Sequence, residues 1–365
     1  MRQRKVCILS TANIKHMTLI SLYTEKLDQE NIMYDIIYID KYHEVENYDG
    51  ANQLYRHEIF IKPRWSFLRK FLNYWSFRKY AINIINCEIY DFIIVWNEFT
   101  IFMFSDFLKR HYKNRYCINI RDENMNRIFP VQWRYKQALI GCSFATVSSD
   151  YFKEVFPRYD YLFVHSFNKL VTQNLQPIKV KKSLNDCINL MFIGRMSFPD
   201  TMKKVIDVLG NDNRFKLSLV GTGCEVWKTY TVEKGFSNVY IRGSFKPSET
   251  ANYLSMADVI YSINAEDNVH CDTLLPIKLY YAVALQIPIL VFKSSYTYKY
   301  AKEHNMDIGI TSLDFNRLGD VIYNKYHELD QEKIRKGCQL ALKEIQKSQD
   351  ELNEKIYQYI IFGDN

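Results

Sequence analysis

Residues 188–223 decide the fold and read INLMFIGRMSFPDTMKKVIDVLGNDNRFKLSLVGTG. Two short apolar runs, predicted as strands over Asn189–Ile193 and Lys216–Val220, flank a stretch with a helical pattern. This strand–helix–strand order is typical of parallel sheets, whose strands need a crossover connection. Glycine follows each strand, at Gly194 and Gly221, and permits the backbone to approach a ligand closely.

The same alternation extends over the rest of the chain. The other predicted strands are Val6–Ser10, Tyr34–Ile39, Asp91–Trp96, Tyr116–Ile120, Phe144–Ser148, Tyr161–His165, Asn238–Ile241, Asp258–Ile263, Ile287–Phe292 and Ile308–Ile310. A chain of 365 residues exceeds what one hydrophobic core usually supports. We therefore expect an α/β protein with two tandem Rossmann-like domains.

The domain boundaries are predicted from a polar stretch that lacks an apolar period. We expect a first domain over 1–168, a linker over 169–187, a second domain over 188–330, and charged helices over 331–365 that cross back to the first domain. In open α/β sheets, ligands bind beyond the carboxyl ends of the strands. A cleft between the two domains is therefore expected, lined by the loops that follow the strands.

Composition excludes several classes of protein. Hydrophobic residues make up 47% and no apolar run approaches the roughly 20 residues of a membrane span, so we expect a globular chain without a transmembrane helix. The short apolar stretch near the start is not a secretory signal, which predicts a cytoplasmic location. Eight cysteines without any Cys-x-x-Cys pair argue against a zinc ribbon and are expected to be buried apolar residues.

The net charge of +7 comes from the first half of the chain, and its basic residues concentrate between Glu58 and Glu88. There they alternate with Trp, Phe and Tyr, a composition that suits an anionic membrane surface. A helix packed on the first domain with a solvated basic face explains the pattern equally well. Nucleic-acid binding is disfavoured because there is no second basic cluster and no recognisable module. Peripheral membrane contact through residues 59–87 thus remains one of three interpretations.

Several loops of the second half place cations or glycines after a strand. Arg195 follows the first strand and Lys203 the start of the next helix, where both could neutralise a diphosphate. Gly221 and Gly223 form a Gly-x-Gly turn after the second strand. Lys278 lies in the first turns of a helix, whose free amides also favour an anion. Each signal is weak alone, because such residues are common at surfaces.

The order of these segments resembles the GT-B glycosyltransferases of family four, in particular bacterial enzymes of capsule, O-antigen and exopolysaccharide synthesis. The segments that carry the resemblance are FIGRM, LVGTG, NVYIRGSF, MADVIYSI and LPIKLYYAVALQIPILV, and they cover nearly all of 188–312. The resemblance implies a hexosyltransferase-like enzyme. It would transfer a sugar from a nucleotide diphosphate sugar, expected to be UDP-linked, to a glycan or polyprenyl-diphosphate-linked acceptor, with retention of configuration and no cofactor.

Roles follow from the resemblance residue by residue. Arg195 and Lys278 would stabilise the leaving diphosphate, and fixed cations of this kind can replace a metal ion. The chain contains no Asp-x-Asp, so metal-independent catalysis is expected. The donor would contact a set drawn from the strand-end loops and the helix around Lys278: Gly194, Lys203, Gly221, Gly223, Ser244, Phe245, Thr273, Leu274, Leu275 and Tyr281.

Two positions depart from the family pattern. Tyr281 stands where the family has the Glu that holds the donor ribose, and Ile277 stands in place of Asn. The family acid eight positions before that Glu falls at Thr273, next to Asp272. A phenol donates one hydrogen bond and cannot accept two as a carboxylate can. An inactive GT-B partner subunit that binds a glycosyltransferase or a glycan is therefore the alternative function.

The first half offers acceptor-side candidates after its strands, namely Asn13, His16, Glu98 and Arg121. Asp122 is the candidate catalytic carboxylate, because an inverting route needs a base near the acceptor hydroxyl. Capping of the next segment, with Arg121 as ion-pair partner, is the competing role for Asp122. For His16, the alternative to a catalytic role is that of a polar side chain that lines the site. A nicotinamide oxidoreductase is disfavoured, because neither first strand is followed by Gly-x-Gly-x-x-Gly.

Overall fold

The computed structural model describes residues 4–62, 64–122, 129–178, 181–264 and 273–363. The chain divides into two compact units, one formed by 1–165 with 347–365 and the other by 166–346. The chain thus returns to the first unit after completing the second. The linker predicted over 169–187 contains a short helix, Lys169–Thr172.

The first unit is built on a parallel sheet of seven strands within the described residues. Its strands are β1 Lys5–Ser10, β2 Met33–Asp40, β3 Gln53–Glu58, β4 Phe92–Trp96, β5 Tyr116–Ile120, β6 Phe144–Val147 and β7 Tyr161–Phe163, in the order β3-β2-β1-β4-β5-β6-β7. Its helices are α1 Ser21–Gln29, α2 Phe67–Glu88, α3 Glu98–His111, α4 Phe129–Gly141 and α5 Phe152–Val155.

The second unit repeats the plan with six described strands. These are β8 Ile188–Ile193, β9 Phe215–Val220, β10 Val239–Arg242, β11 Val259–Tyr261, β12 Ile289–Phe292 and β13 Asp307–Ile310, in the order β10-β9-β8-β11-β12-β13. The helices are α6 Lys169–Thr172, α7 Pro199–Leu209, α8 Trp227–Glu233, α9 Thr250–Leu254, α10 Ile277–Leu285, α11 Tyr296–Glu303, α12 Leu318–Glu328 and α13 Gln331–Lys355. The predicted α/β class and the parallel pairing are confirmed.

Each unit has its own core. The central strands are buried on both faces, as their near-continuous apolar sequences require of a parallel sheet covered by helices, whereas the edge strands β3 and β10 are partly exposed. In the first unit, α13 continues into a π-helical turn over Ile356–Phe362. Leu352, Ile356 and Ile360 from this C-terminal segment are fully buried in the first core. The C-terminal segment is therefore part of the first unit's hydrophobic core.

The basic aromatic segment forms α2, and only its second half packs closely. Phe77, Ala81 and Ile85 are buried at intervals of four residues, which is one face of a helix. Leu68 and Leu72, in the first half, remain 66% and 59% exposed. Among the described residues no helix is long and apolar enough to cross a membrane.

Candidate functional site

The strand order of each sheet locates its ligand crevice. In both units the order reverses beside the first strand, between β1 and β4 in one and between β8 and β11 in the other. Adjacent loops leave the carboxyl ends of two such strands in opposite directions, which opens a crevice where ligands bind. The residues that follow β1, β4, β8 and β11 are therefore the candidates for ligand contact.

Two glycines shape the crevice end of the second sheet. Gly194 donates its N–H to the Val220 carbonyl at 2.9 Å, and Gly221 donates to the Arg242 carbonyl at the same distance. Both have positive φ values, +125° and +137°, which L side chains rarely adopt. The ladder therefore continues past the ends of β8 and β9 and leaves backbone, not side chains, at this edge of the sheet.

The second glycine of the Gly-x-Gly turn has an internal partner. The Gly223 N–H donates to a carboxylate oxygen of Glu225 at 3.0 Å. Beside it, the hydroxyls of Thr222 and Ser244 lie 3.1 Å apart. A phosphate at this amide would meet the negative charge of Glu225. This side of the crevice thus suits the hydroxyl groups or the nucleobase of a ligand better than its diphosphate. Phe245, the next predicted donor contact, packs its ring against Tyr253 at a centroid distance of 5.3 Å.

Lys278 reaches the carboxyl end of β8. Its ammonium nitrogen lies 4.2 Å from the centroid of the Phe192 ring, two residues before Gly194. Its charge also acts on Cys224, beyond the glycine turn: burial raises the pKa of that thiol to about 12, Glu225 adds to the rise, and Lys278 opposes it. The structure thus brings the ammonium group to the two glycine-bearing loops.

Arg195 directly follows Gly194 and is exposed. Within the described residues, no hydrogen bond or ion pair involves its guanidinium group. An arginine without an internal acceptor is available to a ligand, and its planar fork matches the geometry of phosphate oxygens. Arg195 and Lys278 are therefore two cations at the end of the same strand.

Lys203 has a different environment. Its ammonium group lies 2.7 Å from Asp207, one helical turn on, and 2.8 Å from the Tyr230 hydroxyl. These contacts compensate its charge on the surface of α7. The neighbouring Lys204 lies over Phe315 at 5.9 Å. The structure thus gives Lys203 internal partners, unlike Arg195.

Tyr281 lies one turn after Lys278 in α10 and is only 7% exposed. Burial raises its pKa to about 12, so the phenol is neutral at pH 7. Thr273 and Leu275 are also buried, and the Leu274 carbonyl accepts a hydrogen bond from Thr297 at 2.8 Å. Asp272 lies outside the described residues. The position of the family carboxylate is therefore a buried, uncharged hydrogen-bond donor.

Ser262 was not among the sequence candidates. It directly follows β11, the strand across the switch point from β8, and its buried hydroxyl has no hydrogen-bond partner within the described part of the chain. Buried hydroxyls normally have a partner, so an orphaned one beside a crevice makes Ser262 a candidate ligand contact. The sequence pattern gave no signal for it, because Ser262 lies inside the predicted strand Asp258–Ile263, whereas the observed strand ends at Tyr261.

Asn13 is enclosed in the first unit rather than facing a crevice. It is fully buried, donates to Asp40 and Glu46 at 2.9 Å, and accepts from the Lys41 amide at 3.0 Å. Its hydrogen-bonding capacity is used in holding the loops after β1 and β2 together. His16 lies in the 3-10 turn Ile14–His16, is exposed, and contacts the Tyr42 hydroxyl at 3.0 Å.

The switch point of the first sheet is lined by hydroxyls and an amide. The Thr11 hydroxyl donates to the Asn97 side chain at 3.0 Å, and its amide donates to the Thr100 hydroxyl at 2.9 Å. Asn97 caps α3 with φ +68°, a strained conformation for a residue other than glycine. Glu98 follows it in the first helical turn and is 6% exposed. Sequence analysis named Glu98 but not this threonine pair.

Arg121 is held at the end of β5. Its guanidinium donates to the Asn119 side chain and to the Val164 carbonyl, both at 3.0 Å. Asp122 is exposed and precedes the residues that the structure does not describe, which include Glu123. Arg121 thus has structural contacts, and the neighbouring Asp122 is exposed.

The described part of the chain has no metal-binding cluster, and its cysteines are free thiols. Within the described residues, no group of three His, Cys, Asp or Glu side chains is arranged to hold a metal ion. The cysteines of that part of the chain are all free thiols, and most are buried, as expected.

No protein-family model matches this sequence, and no curated protein matches it either. Solved structures do resemble it over nearly the whole chain. Sucrose-phosphate synthase from Thermosynechococcus elongatus aligns with a TM-score of 0.69 and 11% identity, covering 98% of this chain and 99% of that one.

HepE from Anabaena, solved in complex with UDP-glucose, aligns with a TM-score of 0.63 and 11% identity over 97% of this chain and 99% of that one. A UDP-forming α,α-trehalose-phosphate synthase from Burkholderia xenovorans gives 0.65 and 8% identity over 99% and 100%. At sequence identities this low, the structural similarity shows the fold alone. The chain therefore has the two-domain GT-B fold.

Proposed function

We propose that this protein is a glycosyltransferase that moves a hexosyl group from a UDP-linked sugar to a glycan or polyprenyl-diphosphate-linked acceptor in bacterial surface polysaccharide synthesis. The observation that carries the proposal is the pair of cations at the end of β8. Arg195 is without an internal acceptor among the described residues, and Lys278 lies over Phe192 at 4.2 Å.

These two cations match the charge that develops in glycosyl transfer. Cleavage of the bond between sugar and diphosphate leaves negative charge on the nucleoside diphosphate, and fixed cations stabilise it in the transition state. The chain has no Asp-x-Asp pair, so we propose that Arg195 and Lys278 act in place of a divalent ion. Stabilisation of the leaving group without a strong base favours retention of configuration. No cofactor is required.

The donor is proposed to be UDP-linked because structures of this fold include HepE bound to UDP-glucose and a UDP-forming synthase. The diphosphate would lie at Gly194, Arg195 and Lys278. The hydroxyls of Thr222 and Ser244 would lie toward the nucleoside, where Glu225 disfavours phosphate.

The acceptor is proposed to bind the first unit, with Asp122 nearest the reacting hydroxyl. A polyprenyl-diphosphate acceptor is embedded in a membrane, and the segment 59–87 offers a surface to meet it. Leu68 and Leu72 are exposed on α2, and Arg69 lies over the Trp65 ring at 4.0 Å. Aromatic and basic side chains of this kind settle at lipid headgroups. We therefore propose peripheral attachment to the inner face of the plasma membrane.

A thermal-shift screen against UDP-, GDP-, dTDP- and CMP-sugars with EDTA present tests the donor. A ligand at 100 times its Kd stabilises the folded protein by about 2.7 kcal/mol. We expect a shift with UDP-sugars that Arg195→Ala and Lys278→Ala abolish. Lys203→Ala is the matched control, because Lys203 is already paired with Asp207. A shift that Lys203→Ala removes and the other two leave intact would contradict the assignment.

A second function, a non-catalytic GT-B partner that binds a glycosyltransferase or a glycan, is favoured by one observation. Tyr281 places a buried neutral phenol where the resembling family has a carboxylate, and Ile277 replaces its Asn. Release of UDP from UDP-sugar, with the anomeric configuration of the product read by NMR, separates the two. Turnover eliminates the partner function, whereas binding of a glycan without turnover under any donor favours it.

A further inference from the structure

A groove among α2, α3 and α4 of the first unit has a volume of about 560 Å³ and gathers cationic side chains around one carboxylate. Its charged lining residues, other than His111, are Arg78, Lys109, Arg110, Arg134 and Asp106. Four cations facing a single anion leave the groove with an excess of positive charge, and such an excess attracts anionic ligands.

Asp106 is shared between two arginines. Its carboxylate oxygens lie 2.7 Å from a guanidinium nitrogen of Arg78 and 2.6 Å from one of Arg134. Burial lowers the pKa of Arg78, Asp106 opposes that lowering, and the charge of Arg134 adds to it. One carboxylate therefore does not balance the two guanidinium groups.

The remaining two cations have no acidic partner in the described part of the chain. Lys109 donates to the neutral Gln137 side chain at 2.6 Å. Arg110 is exposed, and no hydrogen bond or ion pair of the described residues involves its guanidinium group. The described residues of the first unit thus leave the positive charge of the groove uncompensated.

Backbone contacts hold the arginines in place. Arg134 donates to the Phe102 carbonyl at 2.5 Å, and Arg78 donates to the Met103 carbonyl. These contacts fix the two positive charges in the groove, whereas the fork of Arg110 is not engaged by described residues and suits two oxygens of a phosphate. Trp133, 54% exposed, also lines the groove and offers an apolar contact beside the anion.

The groove lies apart from the candidate acceptor residues. The helix α3 begins at the carboxyl end of β4 with Glu98, and Arg110 comes twelve residues later. At 1.5 Å per residue the two are about 18 Å apart along the helix axis. The groove is therefore a separate feature of the first unit.

We propose that this groove binds a phosphate group, either a phosphomonoester or a diphosphate, carried by a membrane lipid headgroup or by a small soluble molecule. This proposal does not depend on glycosyl transfer, because it concerns residues about 18 Å along α3 from the switch point of the first sheet. Its failure would leave the donor site unaffected.

Fluorine NMR of the full chain labelled with 5-fluorotryptophan provides a local readout. The chain has five Trp residues, and Trp133→Phe assigns the resonance of the groove. Inorganic pyrophosphate is the soluble probe. Sedimentation with phosphatidylcholine vesicles containing phosphatidic acid is the membrane arm, with pure phosphatidylcholine vesicles as reference. The variant is Arg110→Ala, and Arg158→Ala, an exposed arginine of the same unit outside the groove, is its control.

We expect Arg110→Ala to weaken binding about tenfold, because a hydrogen bond to a charged group is lost, while Arg158→Ala binds as the parent protein does. A pyrophosphate-induced shift of the Trp133 resonance that depends on Arg110 identifies a soluble ligand. Arg110-dependent binding of phosphatidic acid vesicles alone identifies a headgroup. The proposal is overturned if neither probe binds, or if Arg110→Ala and Arg158→Ala have equal affinities.

Discussion

A β-carbon built on Gly221 would lie 1.8 Å from the carbonyl oxygen of Gly194. The loops after β8 and β9 therefore pack backbone against backbone, and no side chain can separate them. Lys278 and Arg195 lie at the same strand end. The contact between Gly221 and Gly194 therefore fixes the position of the backbone on which the proposed diphosphate would lie.

Gly221→Ala is expected to destabilise the protein by about 3 kcal/mol, because the clash is with backbone and the φ of +137° is strained for alanine. Gly194→Ala is the matched control: its φ of +125° is similarly rare for L side chains, but its β-carbon would meet nothing within 4 Å. We expect it to cost about 1.5 kcal/mol. Urea unfolding measures both, and equal losses would show that strain alone decides the effect.

Replacing Tyr281 by Glu tests whether this position faces the donor. A carboxylate at a site 7% exposed should lower the free energy of unfolding by about 2 kcal/mol, because Lys278, one helical turn earlier, offsets only part of the cost of burying a charge. If the side chain faces the ribose, UDP should stabilise Tyr281→Glu more than it stabilises the parent protein, because a carboxylate accepts two hydroxyl hydrogen bonds. Tyr281→Phe, which only removes the hydroxyl, serves as control. Equal stabilisation of all three proteins by UDP would place the ribose elsewhere.

The hydrogen bonds around Asp40 predict an acid-sensitive contribution to stability. Burial raises the pKa of this carboxyl, but hydrogen bonds from Asn13, the Tyr42 amide and Arg56 outweigh it and lower the pKa to about 2. An unfolded Asp titrates near 3.9, so the ionised form stabilises the fold by about 2 kcal/mol above that pH, and the contribution is lost as the pH falls toward 2. Chemical unfolding from pH 6 to pH 2 should show the advantage over Asp40→Asn shrinking across this window. A constant difference would contradict the assigned pKa.

Most strands were predictable because their apolar runs must be buried on both faces of a parallel sheet. The exception is β3, Gln53–Glu58, which is not buried and lies at the edge of the first sheet. With a single neighbour and a polar sequence it carries no apolar run. Only its pairing with β2, residue by residue from Asp35 with Gln53, defines it.

The candidate site was predictable where chain order decides position, and not where a partner comes from a distant segment. Gly194 and Gly221 follow from their places after strands. The enclosure of Asn13 by Asp40 and Glu46 depends on how two loops fold together, which a local pattern does not encode. The environment of Lys203 was predictable in part, because Asp207 four residues later already indicates an ion pair along the helix.

Leu68 and Leu72 test the proposed membrane contact of α2. They lie four residues apart on one helix face and remain 66% and 59% exposed, so a bilayer interface would bury apolar area that the fold leaves in water. The double variant Leu68→Gln, Leu72→Gln should bind vesicles of phosphatidylcholine and phosphatidylglycerol at least tenfold more weakly, with little change in the free energy of unfolding. Leu340→Gln, at a leucine 55% exposed in the second unit, is the control and should bind normally. If the double variant sediments with vesicles as well as Leu340→Gln does, the basic aromatic segment is a solvated helix face and the acceptor is reached in another way.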